Sequence, residues 1–473
     1  MIQHSSSILI VGAGFSGALT AIHLLRSTVG QDISITLLDP ASRPARGLAY
    51  RSDDDNLLLN VPAGNMSAFA DAPSHFLEFC QHIDPSINPG SFVSRRLYGR
   101  YLEFNLQRAM ATQPGRLHVV QDQADEMKTL PGRAGFKIRL ASGQYLTAQH
   151  VVLAPGHQAP EFPLPLPPGE CERVIAPWDF QRMDQLPDNA PVLILGTGHT
   201  AVDALFQLTR QALPRKVWMI SRRGLLPHAH RLNPVPPPPG QYPSYVGNAP
   251  LRTRALLQHL RQEIARQAHA GSDWRDVLNQ LRPHTARLWQ AMPLTERQRF
   301  LRHGMAFWDI HRHRLAPISA DRLQVLLETG DVQVLAGRLT AVHRTGHEEL
   351  QVALMPRGRH PIQTLNVTAI INCTGPRMTI GPNSSPLLQQ LLHDGLLLPD
   401  TCGLGVQIND QYQPLCSQGG TTLGLWYVGP MLKARHWEAI AVPELRVHTQ
   451  QLAQQLVRQL TTRSTLPPQA EPV

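Results

Sequence analysis

One pattern of apolar and polar positions occurs twice along this chain. Ile8–Val11 is an unbroken apolar run, as in a strand covered on both faces of a parallel sheet. After a short gap, Leu19, Ile22, Leu24 and Leu25 recur at helical spacing. The gap holds Gly12, Gly14 and Gly17. A second apolar strand, Ile33–Leu38, then ends at Asp39. Residues 191–209 repeat the order: the run Val192–Leu195, then Gly196, Gly198 and Ala201, then apolar residues at helical spacing. The strand after it, Val217–Ile220, ends in Ser221-Arg222-Arg223.

Two further runs read as strands that close each repeat. His150–Gly156 follows the short alternating runs Phe136–Leu140 and Gln144–Thr147, and Ala369–Gly375 follows Leu350–Met355 and Ile362–Val367. Helical spacing also appears in Leu256/Leu257/Leu260/Ile264 and in Val277/Leu278/Leu281/Leu288. Residues 224–250, with Pro236–Pro239, read as an extended or polyproline loop. The tail from about residue 462 reads as disordered. The fold class is therefore α/β, with two Rossmann-like, doubly wound dinucleotide-binding domains. The first spans 1–185 and resumes over 367–473. The second, 186–366, is inserted into it and carries a proline-rich and helical insertion at about 224–330.

The spacing carries chemistry. In a strand–turn–helix, Gly12 makes the tight turn, Gly14 lets the backbone approach a pyrophosphate, and Gly17 lets helix and strand pack closely. Phe15 and Ser16 open the helix, whose N-terminal N–H groups face the phosphates. Asp39 stands 22 residues after Gly17, where an acid binds an adenosine ribose. Arg222 stands 21 residues after Ala201, in the corresponding place of the second repeat. A carboxylate accepts from both ribose hydroxyls and repels a 2′-phosphate, whereas guanidinium groups bind that phosphate. The first repeat should hold FAD and the second NADPH.

Composition narrows the rest. The chain has 473 residues, 42% of them hydrophobic, so it can bury a sizeable core. Lys and Arg exceed Asp and Glu by 44 − 35 = 9. No basic run is interleaved with aromatics, so nucleic acid is not an expected partner. The five cysteines, at 80, 171, 373, 402 and 416, form no CxxC pair. That spacing argues against a zinc ribbon and a dithiol redox couple, and the scatter fits a reducing cytosol. No apolar stretch approaches a membrane span, and the first apolar run is too short for a signal peptide. A cytoplasmic location is expected, and no metal site.

Several longer segments point to a family. They include Leu58–Ala68, Asp71–Leu77, Arg95–Tyr101, Ser221–His228, Trp308–Pro317, Asn372–Pro376 and Trp437–Arg446. On these the chain resembles the YdhS-like bacterial FAD/NAD(P)-binding proteins, which are two-dinucleotide-binding-domain flavoproteins. It is distantly similar to flavin N-hydroxylating monooxygenases. The resemblance implies an Ala-Thr-Gly-like segment in each half, ending here at Gly156 and Gly375, and a flavin-contacting loop with Asn60, Pro62, Asn65 and Met66. It also implies a C-terminal Gly-Asp at the ribityl chain, where this sequence has Gly429-Pro430. Arg46 and Tyr50 are further candidates for FAD contact. No F-x-G-x-x-x-H follows Gly156 and no CxxxxC pair exists, so Baeyer–Villiger enzymes and disulfide reductases fit less well.

The activity so implied is NAD(P)H-dependent, FAD-dependent oxidoreduction. The leading form is hydroxylation of a small anionic metabolite by molecular oxygen through a flavin C4a-hydroperoxide. The alternatives are a flavin reductase or dehydrogenase that passes electrons to another acceptor, and a non-catalytic redox sensor. No catalytic side chain is assigned and the oligomeric state is open. His311-Arg312-His313-Arg314, read as a strand, is either a polar cluster or a site for an anionic substrate or NADPH phosphates, with metal ligation disfavoured. His228, His230 and Arg231 are similar in kind. Trp437 and Glu438 either line the flavin or serve packing.

Overall fold

In the computed structural model, residues 6–28, 32–133, 135–166, 169, 171–211, 215–232, 240–346, 349–358 and 360–464 are described. The expected segment Pro236–Pro239 and most of the C-terminal tail lie outside these. Within them the last helix runs Val442–Ser464, so residues 462–464 are helical rather than part of a disordered tail.

The first apolar strand sits in a five-stranded parallel sheet. Ser6–Val11 pairs on one side with Ile33–Leu38 and on the other with His150–Leu153. Leu117–Val120 lies beyond Ile33–Leu38, and Leu425–Tyr427 lies beyond His150–Leu153. A strand from the far C-terminus therefore completes a sheet begun at the N-terminus. Ile8, Leu9, Ile10, Ile35 and Leu37 are at most 1% exposed, because they share one core with the Phe15–Ser27 helix and with Met127, Phe136, Ile138 and Leu140 of an antiparallel sheet. Each such side chain gains about 1.5–3 kcal/mol from burial. The Phe15–Ser27 helix is buried along Phe15–Leu25 and packs against the helices Val442–Ser464 and Arg95–Thr112. A helix apolar on most of its circumference needs that double cover.

The second sheet has seven strands. Val192–Leu195 pairs in parallel with Val217–Ser221 and with Ala369–Asn372, and the latter pairs with Val174–Ile175. Val332–Arg344 is long and does two jobs. Its first residues pair in parallel with Val217–Ser221, and the rest form an antiparallel hairpin arm with Leu350–Pro356, followed by Gln363–Val367. By strand pairing this sheet reaches past residues 186–366 on both sides. A third, antiparallel sheet joins Ala124–Thr129, Phe136–Leu140 and Tyr145–Ala148.

The insertion is helical, with Thr253–His269, Trp274–Leu281, Thr285–Ala291, Leu294–His303 and Met305–Arg312. It docks on the C-terminal segment of the chain. Trp289 packs against Trp437 with ring centroids 4.6 Å apart and planes tilted by 36°, and donates its Nε1–H to the Ala434 carbonyl. Arg282 forms a two-pronged pair with Glu444 at 2.8 and 2.9 Å.

Candidate functional site

The first glycine turn is built by close approach. Gly12 has φ +103°, and a Cβ there would lie 2.1 Å from the Ala154 carbonyl oxygen. A Cβ at Gly17 would lie 1.8 Å from the Gly12 oxygen. Only hydrogen fits at either place, which is why strand, turn and helix can touch. Gly14 caps the Phe15–Ser27 helix without a side-chain hydrogen bond, and a Cβ there would meet only the Gly47 Cα at 3.5 Å. The helix N-terminus, with Phe15 and Ser16, thus keeps N–H groups available to an anion. Asp39 holds the turn from the next strand: Ala13 N–H donates to its Oδ2 at 2.6 Å and Ala41 N–H to its Oδ1 at 2.8 Å. Each carboxylate oxygen retains a lone pair for a hydroxyl donor.

The second turn has the same construction with the opposite charge. Gly196 has φ +134°, and a Cβ would lie 2.2 Å from the Cys373 carbonyl oxygen. Ala201 is fully buried behind it. Gly198 caps the His199–Leu208 helix with no side chain, and a Cβ there would meet nothing within 4 Å. That open space before an uncapped helix end fits a diphosphate. The Thr197 hydroxyl donates to the Leu225 carbonyl at 2.6 Å and accepts from the Ser221 hydroxyl at 2.9 Å, closing the end of the second strand. Arg222 beyond it is exposed and has no hydrogen-bond or ion-pair partner among the described residues. Arg223 is engaged: its guanidinium lies 4.7 Å over the Phe307 ring and donates to the Arg302 carbonyl.

The Asn60–Met66 loop is pinned from behind. Leu59, Ala63 and Gly64 N–H groups donate to the carbonyls of Val93, Ser91 and Pro89 at 2.8–2.9 Å. Pro62 and Met66 are buried, and Asn60 and Asn65 are partly exposed. Gly156 (φ +69°) and Gly375 (φ +95°) follow their strands with open space where a Cβ would stand. Gly429 (φ +139°) leads into a buried 3₁₀ turn, Pro430–Ala434, held by Met431 N–H donating to the Tyr427 hydroxyl. Arg46 is occupied by Glu103 at 2.6 Å and by Asp53 at 3.4 Å. Tyr50 packs edge-on against Tyr98.

The 311–314 run is not a strand. His311 and Arg312 end the Met305–Arg312 helix, whose last turn ranks two side chains apart in sequence on different faces. Arg312 pairs with Glu438 at 2.9 Å, both nearly inaccessible. Glu438 and Trp437 thereby tie the insertion to the C-terminal segment. His228 and His230 are brought to the same junction by a parallel bridge between Ala229 and Leu315. His228 lies 4.5 Å from His311 and 5.5 Å from Trp274, and His230 Nε2 donates to the Asn60 carbonyl at 3.1 Å. Arg231 pairs with Asp276.

Sequence patterns miss three participants at this junction. His199, the first residue of the second nucleotide helix, has a buried Nε2 without a partner. Lys433 lies 4.4 Å over the Trp437 ring, and burial holds its ammonium below the usual lysine range. Burial also pushes Asp309 up to about 6, against the pull of Lys433. Only His199 carried a signal, its place within the second glycine motif. Across the two halves, Arg95 pairs with Asp203 at 2.8 Å, joining the Arg95–Thr112 helix to the second nucleotide helix.

Residues 9–158 match the FAD-NAD(P)-binding family model. This part of the chain is an FAD/NAD(P)-binding domain. An uncharacterised protein of Mycobacterium tuberculosis is 22% identical over 285 residues, which are 57% of this chain and 51% of that protein. The chain thus matches about half the length of such curated relatives. Among solved structures, reduced ornithine hydroxylase from Pseudomonas aeruginosa is similar with a TM-score of 0.65 at 16% identity, covering 96% of this chain and 99% of that one. The ornithine N-hydroxylase of Kutzneria, solved with reduced FAD, NADP+ and L-ornithine, is similar with a TM-score of 0.64 at 13% identity, covering 98% and 100%. The fold is that of two-dinucleotide-binding-domain flavoproteins. No helix among the described residues is long and apolar enough to cross a membrane.

Proposed function

We propose that the chain is an FAD-dependent oxidoreductase driven by NADPH, and that it hydroxylates a small anionic metabolite with molecular oxygen. The observation that carries this reading is the opposed charge at two matching strand ends, Asp39 in one half and in the other Arg222, which has no hydrogen-bond or ion-pair partner among the described residues. Gly12, Gly14, Phe15, Ser16 and Gly17 would hold the FAD diphosphate, and Asp39 the adenosine ribose. Gly196, Gly198 and Ala201 would hold the NADPH diphosphate, with Arg222 and Arg223 at the 2′-phosphate and Gly375 at the closing strand. Asn60, Pro62, Met66, Gly156 and Gly429 would surround the flavin ring.

FAD, when bound, supplies the acceptor for a nicotinamide hydride and the centre at which oxygen is activated. The chain's own part is to bind, orient and keep water out. The Asn60–Met66 loop is rigid because its backbone is tied to residues 89–93. The insertion is fixed to the C-terminal segment by Trp289, Arg282 and Arg312, and its His230 bonds the Asn60 carbonyl of the loop, so it would help to shield a flavin held there. Shielding of this kind favours hydroxylation, since a reactive oxygen adduct survives only away from water. The five cysteines include no CxxC or CxxxxC pair, which speaks against dithiol chemistry. The YdhS-like assignment and the boundaries 1–185, 186–366 and 367–473 belong to this reading. Its test is anaerobic mixing with NADPH, which should bleach bound FAD; a flavin that stays oxidised over minutes ends the proposal. Labelled oxygen in the product then identifies a monooxygenase, and its absence identifies electron transfer to another acceptor.

A further inference from the structure

Residues 250–304, most of the helical insertion, hold ten arginines, no lysine and four carboxylates. That excess of 10 − 4 = 6 is the larger part of the excess of 9 in the whole chain. Folding sharpens it at the surface. All four carboxylates are paired: Glu263 with Arg266, Asp273 with Arg275, Asp276 with Arg231 and Glu296 with Arg299. None of the four is exposed, whereas Arg252, Arg254, Arg261, Arg299 and Arg302 all are. The guanidinium groups of Arg252, Arg254, Arg261 and Arg302 make no hydrogen bond or ion pair among the described residues. A surface that displays one sign of charge attracts ligands of the other.

Apolar groups stand among these cations. The Thr253–His269 helix packs against Trp274–Leu281 and Leu294–His303, yet it buries none of its residues. Leu257 on it is exposed, and so are Leu251 and Leu294 near the starts of two of these helices. Arg254 and Arg261 are two helical turns apart, so they project to one side with about 10.5 Å between them along the axis. The two helix starts enclose an open groove of about 590 Å³. Pro250, Leu251 and Pro293 give it apolar walls, and Arg252 and Arg299 bring charge to them. Glu296 also lines it, but Thr253 N–H donates to its Oε2 at 2.8 Å and Arg299 pairs with it, so that carboxylate is already compensated. Such a groove takes an aliphatic side chain that is flanked by carboxylates.

We propose that this arginine face docks an acidic helix of a partner protein, with an aliphatic side chain of that helix in the groove and its carboxylates against Arg252, Arg254 and Arg261. Carboxylates two turns apart on the partner match the spacing of Arg254 and Arg261. Other occupants fit less well. A second copy of the chain is itself basic, and its acidic run is already engaged, Asp53 with Arg43 and Arg46 and Asp55 with Arg96. A flat lipid surface leaves the groove unfilled. Single-stranded nucleic acid is held by stacking on aromatic rings, and the large apolar residues exposed on this face are leucines. The inference goes beyond the redox reading and does not depend on it.

Fluorescence anisotropy of a labelled, helix-forming peptide with the full-length protein tests this. The peptide carries glutamates two turns apart on both sides of a leucine stripe. It should bind, and the double variant Arg254→Glu/Arg261→Glu should weaken binding about tenfold or more, as should a rise in salt from about 50 to about 300 mM. Both residues are exposed, so the variant should fold; should it not, Arg254→Gln/Arg261→Gln, which only removes charge, should weaken binding about threefold or more. Arg338→Glu/Arg357→Glu makes the same change in net charge at the hairpin arm of the second sheet and should leave binding unchanged. A peptide of equal composition with its glutamates scattered round the helix should bind about fivefold more weakly or worse. No binding of the first peptide, equal binding of the scattered one, or equal loss in the two charge-reversal variants overturns the proposal. So does tighter binding to phosphatidylglycerol vesicles or to DNA than to the peptide, and so does a dimer of the chain that Arg254→Glu/Arg261→Glu abolishes. NADPH bleaching of the flavin is scored separately: peptide binding without bleaching rejects the redox reading and leaves the docking face standing, and the reverse rejects only the face.

Discussion

Arg222→Ala isolates the charge argument, because among the described residues Arg222 makes no hydrogen bond or ion pair. It is exposed at the end of the Val217–Ser221 strand and has no partner among the described residues, so its removal leaves packing intact. Substitution at such a surface position changes stability by within about 0.5 kcal/mol. A hydrogen bond between charged groups is worth about 1.5–3 kcal/mol when shielded, and solvent at an exposed site reduces this to about 0.2–1 kcal/mol. At ~1.4 kcal/mol per factor of ten, KM for NADPH should rise up to about 5-fold. KM for NADH should not change, since NADH lacks the 2′-phosphate. Anaerobic flavin reduction with each nucleotide measures both values on one preparation. Arg223→Ala is the internal contrast. That guanidinium also stacks on Phe307 and bonds the Arg302 carbonyl, so its loss should lower Tm as well as weaken NADPH. If Arg222→Ala leaves the NADPH-to-NADH preference unchanged, or weakens both nucleotides alike, the assignment of the second half to NADPH is wrong.

The two glycine turns predict a graded response to a single methyl group. Gly196→Ala forces a Cβ to 2.2 Å from the Cys373 oxygen and should abolish soluble expression or lower Tm by tens of degrees, whereas Gly198→Ala meets nothing within 4 Å and should fold normally while binding NADPH more weakly. At the Arg95–Asp203 pair, Asp203→Asn strands a buried guanidinium and should cost about 3–5 kcal/mol by urea denaturation, while joint replacement of both residues by apolar ones should cost far less. Acid should destabilise the protein early. Burial holds His23, His199 and His436 at about 4, and His230 and His448 at about 3. The unfolded chain therefore binds protons that the folded chain refuses as pH falls below about 6.5, and stability drops by up to ~1.4 kcal/mol per pH unit per histidine until the folded values are reached. Denaturation curves at pH 7.5 and 5.5 check this; a flat profile across that window would show the histidines to be solvated.

Much of the site was legible because its parts are local. A strand, a tight turn and a helix that must touch need glycine at Gly12 and Gly17, and no other residue survives a contact near 2 Å, so close packing writes itself into residue identity. The acid or arginine follows at a set distance because one helix and one strand separate it from the turn. The strands His150–Leu153 and Ala369–Asn372 showed for the same reason, being apolar on both faces. The run at 311–314 misled because an alternating His-Arg pattern carries no period of its own; the helix Met305–Arg312 was decided by Met305 and Trp308 packing on the cluster of Trp289, Leu404, Ala434 and Trp437.

By itself the sequence determined the two nucleotide folds and the opposed charges at Asp39 and Arg222, since both depend on residues a turn or a strand apart. Only the tertiary structure decided which charges are spent and which are free. Arg46, Arg231, Arg275, Arg282 and Arg312 look in sequence no different from Arg314. Folding gives each of the five a carboxylate, for Arg275 the nearby Asp273 and for the other four a partner far along the chain, and leaves Arg314 with an amide. Pairing energy depends on a few ångströms between groups that stand as many as 162 residues apart along the chain, as Arg282 and Glu444 do, and no pattern along that chain encodes such a distance.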